Sequence, residues 1–211
     1  MPRPLPRRAF LTALAGLGAA ALRAPAQPAP GRPVFFVPAA DYHELPAGCY
    51  AENLIPPSEL ILHWDGNRHG RELWKVAVTY ETLAYVQQSA HFAVDNQRVW
   101  QLLPMYQQRV QESYGAKGYN KIAVNIELAG RDFDLPDFAP GDNQVRLTLR
   151  LVSQLMDFYA IPFEKVVGHY ERDDRGLKQD PGVQFLAAFR EQLAADRAAR
   201  TPLKQRFFAE P

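Results

Sequence analysis

Cysteine is almost missing from this chain of 211 residues: Cys49 is the only one. A single thiol closes no intramolecular disulfide and builds no cysteine metal cluster. Burial is the ordinary fate of such a residue. Excess charge is missing too. The 24 basic and 23 acidic residues nearly cancel, which removes the electrostatic case for a nucleic-acid partner. The longest apolar stretch, residues 9–22, is too short for a membrane span and is ended by Arg23. What is present, 47% apolar and 22% charged residues, suits a soluble globular protein with one ordinary core.

The N-terminus stands apart from that body. Residues 1–26 read as an export signal, with basic Arg3, Arg7 and Arg8, the apolar stretch, and a small-residue end at Ala24-Pro25-Ala26. Arg7-Arg8 followed by Ala9-Phe10-Leu11 is similar to the twin-arginine signal of bacteria. No cysteine ends the segment, so it offers no lipid attachment site. Its removal takes away four arginines and leaves 20 basic against 23 acidic residues, a net charge of −3. The expected location is therefore the periplasm or cell envelope, with no stable membrane insertion once the signal is gone.

Residues 27–56 read as a linker and arm in which Val34-Phe35-Phe36-Val37 forms a short strand or an apolar anchor. Residues 57–200 carry the domain and 201–211 a tail. Residues 59–64, a continuous apolar run, predict a strand buried in a sheet. A helix is expected over 79–88 with Thr79 as its cap. Residues 90–94 and 98–103 read as strands joined by the turn Asp95-Asn96-Gln97. Residues 106–120 read as loop or irregular helix, and 122–128 as a strand with Asn125 and Glu127 on one face. Leu147, Leu151, Val152, Leu155, Met156 and Tyr159 recur at helical spacing and predict a helix over 143–159. A strand over 165–168 and a closing helix over 185–197 complete an α/β domain, a single mixed sheet flanked by helices.

Chemistry gathers at strand ends. His63 closes Leu60-Ile61-Leu62, and His169 follows Val166-Val167-Gly168. Asp180 stands eleven positions beyond His169, between Lys178-Gln179 and the Pro181-Gly182 break. A histidine and a carboxylate at the two ends of one loop can converge on one point, as a zinc ion requires, with His63 as the third ligand. Each residue alone has a plainer reading. A lone histidine is most often a hydrogen-bonded structural residue, Asp180 before Pro181 suits a helix N-cap, and Glu127 suits an edge strand.

Together these pieces resemble the zinc-dependent N-acetylmuramoyl-L-alanine amidases of the type-2 amidase family, relatives of the peptidoglycan-recognition proteins and phage T7 lysozyme. The resemblance runs over residues 57–195. Leu60-Ile61-Leu62-His63 is similar to the strand bearing the first zinc histidine. Ser89-Ala90-His91-Phe92 and Arg98-Val99-Trp100-Gln101-Leu102 resemble the family's hairpin. Asn125-Ile126-Glu127-Leu128 resembles the Gly-Ile-Glu-Leu segment, Val167-Gly168-His169 the second histidine motif, and Lys178-Gln179-Asp180-Pro181-Gly182 the Lys-x-Asp-Pro-Gly ending.

The resemblance implies Zn2+ held by His63, His169 and Asp180, with Glu127 as general base and Lys178 steadying the oxyanion. It implies peptidoglycan or a muropeptide as substrate, cut between N-acetylmuramic acid and L-alanine, in wall turnover, recycling or lysis. His91 is expected to be structural or to support a ligand, while Asn125, His69 and Trp64 are expected to meet substrate. The chain departs from the family at Ser113-Tyr114-Gly115-Ala116, where many members carry Trp-His-Ala-Gly, at Asn125, where a small residue is usual, and at Trp64-Asp65 after the first histidine. These departures bear on which amide is cut. The alternatives are a zinc hydrolase of a different amide, or a non-catalytic peptidoglycan-binding module, which typically lacks one of the metal residues.

Overall fold

In the computed structural model, residues 31–36 and 39–199 are described, so the expected export segment, Val37 and the 201–211 tail lie outside them. Six strands form one mixed sheet: β1 (Ala39–Tyr42), β3 (Glu59–Trp64), β4 (Phe92–Val94), β5 (Val99–Gln101), β7 (Ala123–Leu128) and β8 (Val166–Gly168). Their order across the sheet is β1-β5-β4-β7-β3-β8. Only the β4–β5 hairpin is antiparallel; every other neighbouring pair is parallel. Two short strands, β2 (Leu54–Ile55) and β6 (Val110–Gln111), make a separate antiparallel ribbon. Three helices flank the sheet: α1 (Val76–Val86), α2 (Asp142–Tyr159) and α3 (Val183–Ala199). Among the described residues no helix is long and apolar enough to cross a membrane.

The pleat sorts β3 and β7 into two faces. Leu60 and Leu62 of β3, with Val124, Ile126 and Leu128 of β7, join Leu151, Val152, Leu155, Leu186 and Phe189 of α2 and α3 in the main core. The opposite parity, Ile61 and His63 of β3 with Ala123, Asn125 and Glu127 of β7, turns to the other face. There Ile61 and Ala123 form a small apolar cluster with Ala116, Val167 and Tyr119, while α1 covers a neighbouring patch with Val76 and Leu83. One face of the sheet is thus closed by two long helices. The other leaves room above the carboxyl ends of β3, β7 and β8, the end at which parallel sheets place their sites.

The arm reaches the fold as an anchor rather than a strand over its first part. Val34 N–H donates to Met105 O at 2.8 Å, Phe36 is buried and its ring meets Phe92, Phe158 and Tyr159. β1 then adds an edge strand beside β5.

Helix starts differ from the sequence expectation for a shared reason. α1 begins at Val76, not Thr79, because Asp95 in the hairpin turn accepts the Val76 N–H at 3.0 Å. Thr79 lies inside the helix, its hydroxyl donating to Asp65 Oδ2 at 2.6 Å. Asn96 Oδ1 accepts the Gln144 N–H in the first turn of α2. Asp134 accepts from Val183 and Phe185 at 2.7 and 2.8 Å, so it caps α3 and leaves Asp180 free of that task. Each cap comes from a loop distant in sequence.

At the other end of β3, buried Glu59 accepts from Arg172 Nε and Nη2 at 2.9 and 3.0 Å and from Lys165 Nζ at 2.8 Å. These bonds tie the base of β3 to the short 3-10 turn His169–Arg172. Burial alone would raise the Glu59 carboxyl; Arg172 and Lys165 outweigh it and hold the carboxyl below its ordinary 4.5. A lowered native pKa gives stability that is present above the unfolded value and is lost as pH falls through the native one. Glu59→Gln is therefore expected to cost ~1–3 kcal/mol at neutral pH. Its difference from wild type should shrink below pH 4.5, read by chemical denaturation across pH; a difference unchanged at pH 3 would contradict the charge account.

Candidate active site

His63 and Glu127 occupy facing positions of the parallel strands β3 and β7. Both side chains leave the sheet on the less covered face. His169 begins the 3-10 turn after β8, which pairs with the opposite edge of β3. The loop that follows returns through a cis Asp180–Pro181 bond, and the Tyr170 N–H donates to Asp180 O at 3.1 Å. Gly182 completes the turn with φ +105, and a Cβ there would lie 2.5 Å from Asp134 Oδ1, so only glycine fits.

Three ligand-type atoms meet as a result. His63 Nδ1 lies 2.9 Å from His169 Nδ1, and both lie 3.0 Å from Asp180 Oδ2. All three residues are buried. Among the described residues, this is a histidine, histidine, aspartate group compact enough to hold a metal ion.

The donor chemistry fits a cation. Asn125 Nδ2 donates to Ser113 Oγ at 2.6 Å, which turns Asn125 Oδ1 to His63 Nε2 at 2.9 Å. A carbonyl oxygen only accepts, so His63 keeps its proton on Nε2 and points the Nδ1 lone pair at the other two ligands. Asp180 is ionised: burial would raise its carboxyl, but His169 and His63 hold it far below the ordinary value. At His63, burial opposes charge and the carboxylates of Glu127 and Asp180 outweigh it, raising the imidazole. At His169 burial prevails over Asp180 and lowers it. A carboxylate and two imidazole nitrogens about 3 Å apart leave a point about 2 Å from each, the reach of zinc.

Glu127 is buried, and its Oε2 has no hydrogen-bond partner. Burial pushes its carboxyl up to about 8; His63 opposes the rise, and Asp180 and Asp65 add to it. An unpartnered buried carboxylate is costly to fold. A perturbed carboxyl facing a cleft is also a candidate for proton exchange with a bound group. Lys178 lies on the rim. Two clefts of about 280 and 410 Å3 adjoin here and share Gln88, Gly115, His169 and Lys178. The smaller is floored by His63, Glu127 and Asp180 and walled by Trp64, Leu83 and Val86.

The remaining sequence candidates separate. Trp64 is half-buried beside the smaller cleft, with its ring edge-on to Phe133. His69 is exposed and lines neither cleft; its backbone carbonyl accepts from Trp74 Nε1. Asn125 corrects the expectation of substrate contact, since it is fully buried and spends its amide on His63 and Ser113. His91 accepts the Asn125 N–H at Nδ1, 3.0 Å away, and donates from Nε2 to Gln111 O at 2.8 Å. Burial depresses it to about 4, so it is a neutral support for β7. Ser113 and the cleft residue Gln88 escaped sequence reasoning, because only the folded loops bring them to the site.

A family model described as N-acetylmuramoyl-L-alanine amidase (Amidase_2) matches residues 53–183. No curated protein matches the chain. Among solved structures, the catalytic domain of XlyA is similar at 19% identity, covering 72% of this chain and 97% of its own, with a TM-score of 0.58. A mutant endolysin from Bacillus subtilis is similar at 18% identity, with coverage of 72% and 97% and a TM-score of 0.58. A selenomethionine derivative of AmpD gives 19%, 75% and 96%, and 0.54. These structures share the fold. The chain belongs to the N-acetylmuramoyl-L-alanine amidase family, and its activity is that of a peptidoglycan amidase.

Proposed function

We propose that the enzyme works as a zinc amidase through His63, His169 and Asp180 as ligands, Glu127 as general base and Lys178 as oxyanion partner. The observation that carries this reading is the convergence of His63 Nδ1, His169 Nδ1 and Asp180 Oδ2 within 3.0 Å in the cleft that also holds unpartnered Glu127. When bound, zinc supplies a Lewis acid that polarises the scissile carbonyl and acidifies the attacking water. Three protein ligands leave a coordination position for that chemistry.

The chain's own residues do the rest. Glu127 takes a proton from the attacking water and delivers it to the departing amide nitrogen, the double duty of a general base. The Lys178 ammonium faces charge that develops on the carbonyl oxygen. Trp64, Leu83 and Val86 give the smaller cleft an apolar wall that strengthens these interactions by keeping water away. The bond cut joins the lactyl group of N-acetylmuramic acid to L-alanine. Residues 1–26 direct export, which brings the enzyme to wall material beyond the cytoplasmic membrane.

Incubation of the purified enzyme with a muropeptide should release free stem peptide, identified by mass. Release should stop on chelation and return with zinc. Zinc-independent cleavage, or cleavage at another bond, would contradict the reading.

A further inference from the structure

Resting on that zinc reading, the structure assigns to Asn125 the part of a positioning residue: its side-chain carbonyl fixes the His63 ring so that Nδ1 faces the metal. Asn125 lies next to Glu127's strand neighbour on β7 and points to the same face as Glu127, directly across from Ile61 of β3. It is fully buried. Burying a carboxamide costs free energy unless its donor and acceptor are both used, and here both are. Oδ1 accepts from His63 Nε2 at 2.9 Å and Nδ2 donates to Ser113 Oγ at 2.6 Å. The backbone is pinned as well, since Asn125 N–H donates to His91 Nδ1 at 3.0 Å.

Neighbouring space is shaped to this side chain. A Cβ on Gly115 would lie 3.0 Å from Asn125 Cγ and 2.9 Å from the carbonyl oxygen of Ser89. Glycine at 115 therefore lets the loop close over the amide, and Ser113 in the same loop orients it. The two departures from the family pattern, around residues 113–116 and at 125, are two sides of one contact. A residue without a side-chain carbonyl at 125 would remove this acceptor from His63 Nε2. With Asn125 in place, the hydrogen bond selects one tautomer and one ring rotation, the usual task of the group behind a metal-bound histidine.

Two measurements test this. Zinc affinity is compared for wild type, Asn125→Leu and Asn125→Asp, with far-UV circular dichroism and thermal unfolding confirming the fold. Leu is close to Asn in size and accepts nothing, so zinc binding should weaken by roughly 10–100-fold. Asp still accepts from His63 Nε2, and the Ser113 hydroxyl can reverse and donate to it, so its zinc affinity should stay within a few-fold of wild type. A folded Asn125→Leu that binds zinc like wild type, or an Asn125→Asp that weakens as much as Leu, would overturn the assignment.

The second measurement needs no variant. In the zinc-free full chain, at a pH above imidazole titration, 15N–1H correlation of the histidine rings should show His63 protonated at Nε2. Protonation at Nδ1 would overturn the assignment even if every variant failed to fold. A wild-type chain that binds no zinc while showing the Nε2–H tautomer would instead sink the zinc reading and leave the Asn125–His63 contact standing.

Discussion

Glu127→Gln is expected to lower kcat on a muropeptide by ~10²–10⁴-fold while the protein stays folded and keeps its zinc. Glutamine matches glutamate in shape but cannot take a proton from water. The wild-type carboxylate has a buried Oε2 without a hydrogen-bond partner, so its replacement breaks no bond there. Glu127 also stands outside the three-atom ligand cluster of His63, His169 and Asp180. Loss of the proton acceptor should therefore appear in turnover, with zinc content and thermal midpoint retained. Near-wild-type kcat in Glu127→Gln would take the carboxylate out of the reaction, and loss of zinc would make it a ligand.

Asp180→Ala should have the other large effect, and it should be visible before any substrate is added. Asp180 supplies the anion of the ligand set and is held ionised by its two histidines. Its removal leaves two imidazoles, too few for a firm zinc site. Zinc should be lost from the folded protein and activity with it. A ligand that binds only the folded state stabilises it by about 4.1 kcal/mol when present at 1,000 times its dissociation constant. Wild type should therefore unfold at a higher temperature with zinc than with chelator, and Asp180→Ala should show no such gain. An undiminished zinc-dependent shift in Asp180→Ala would show that the ion sits elsewhere.

Much of this was legible in the sequence because it is carried by local pattern. The continuous apolar run over β3 and the helical spacing of Leu147, Leu151, Leu155 and their neighbours fix which residues face the core. Asp95-Asn96-Gln97 is a true hairpin turn, with Asp95 Oδ1 accepting from the Gln97 and Arg98 N–H groups. Residues 63, 169 and 180 were legible as a set because each ends a strand or a loop that returns to the same edge.

What the sequence concealed depends on partners far along the chain. The first turns of α1, α2 and α3 are capped by Asp95, Asn96 and Asp134, so a search for a local cap misplaces Thr79 and Asp180. β2 and β6 are two residues each, too short to leave a periodic signal. Asn125 was placed on the correct strand face, yet strand parity says nothing of depth. It took the register of β7 against β3 to put His63, rather than substrate, beside its amide.

The proposed mechanism stands on one zinc ion held by His63, His169 and Asp180. The most direct measurement is anomalous scattering at the zinc absorption edge from crystals of the zinc-loaded enzyme. One strong peak is expected between His63 Nδ1, His169 Nδ1 and Asp180 Oδ2. A peak at other residues, or a zinc-soaked active enzyme with no peak at these three, would contradict it.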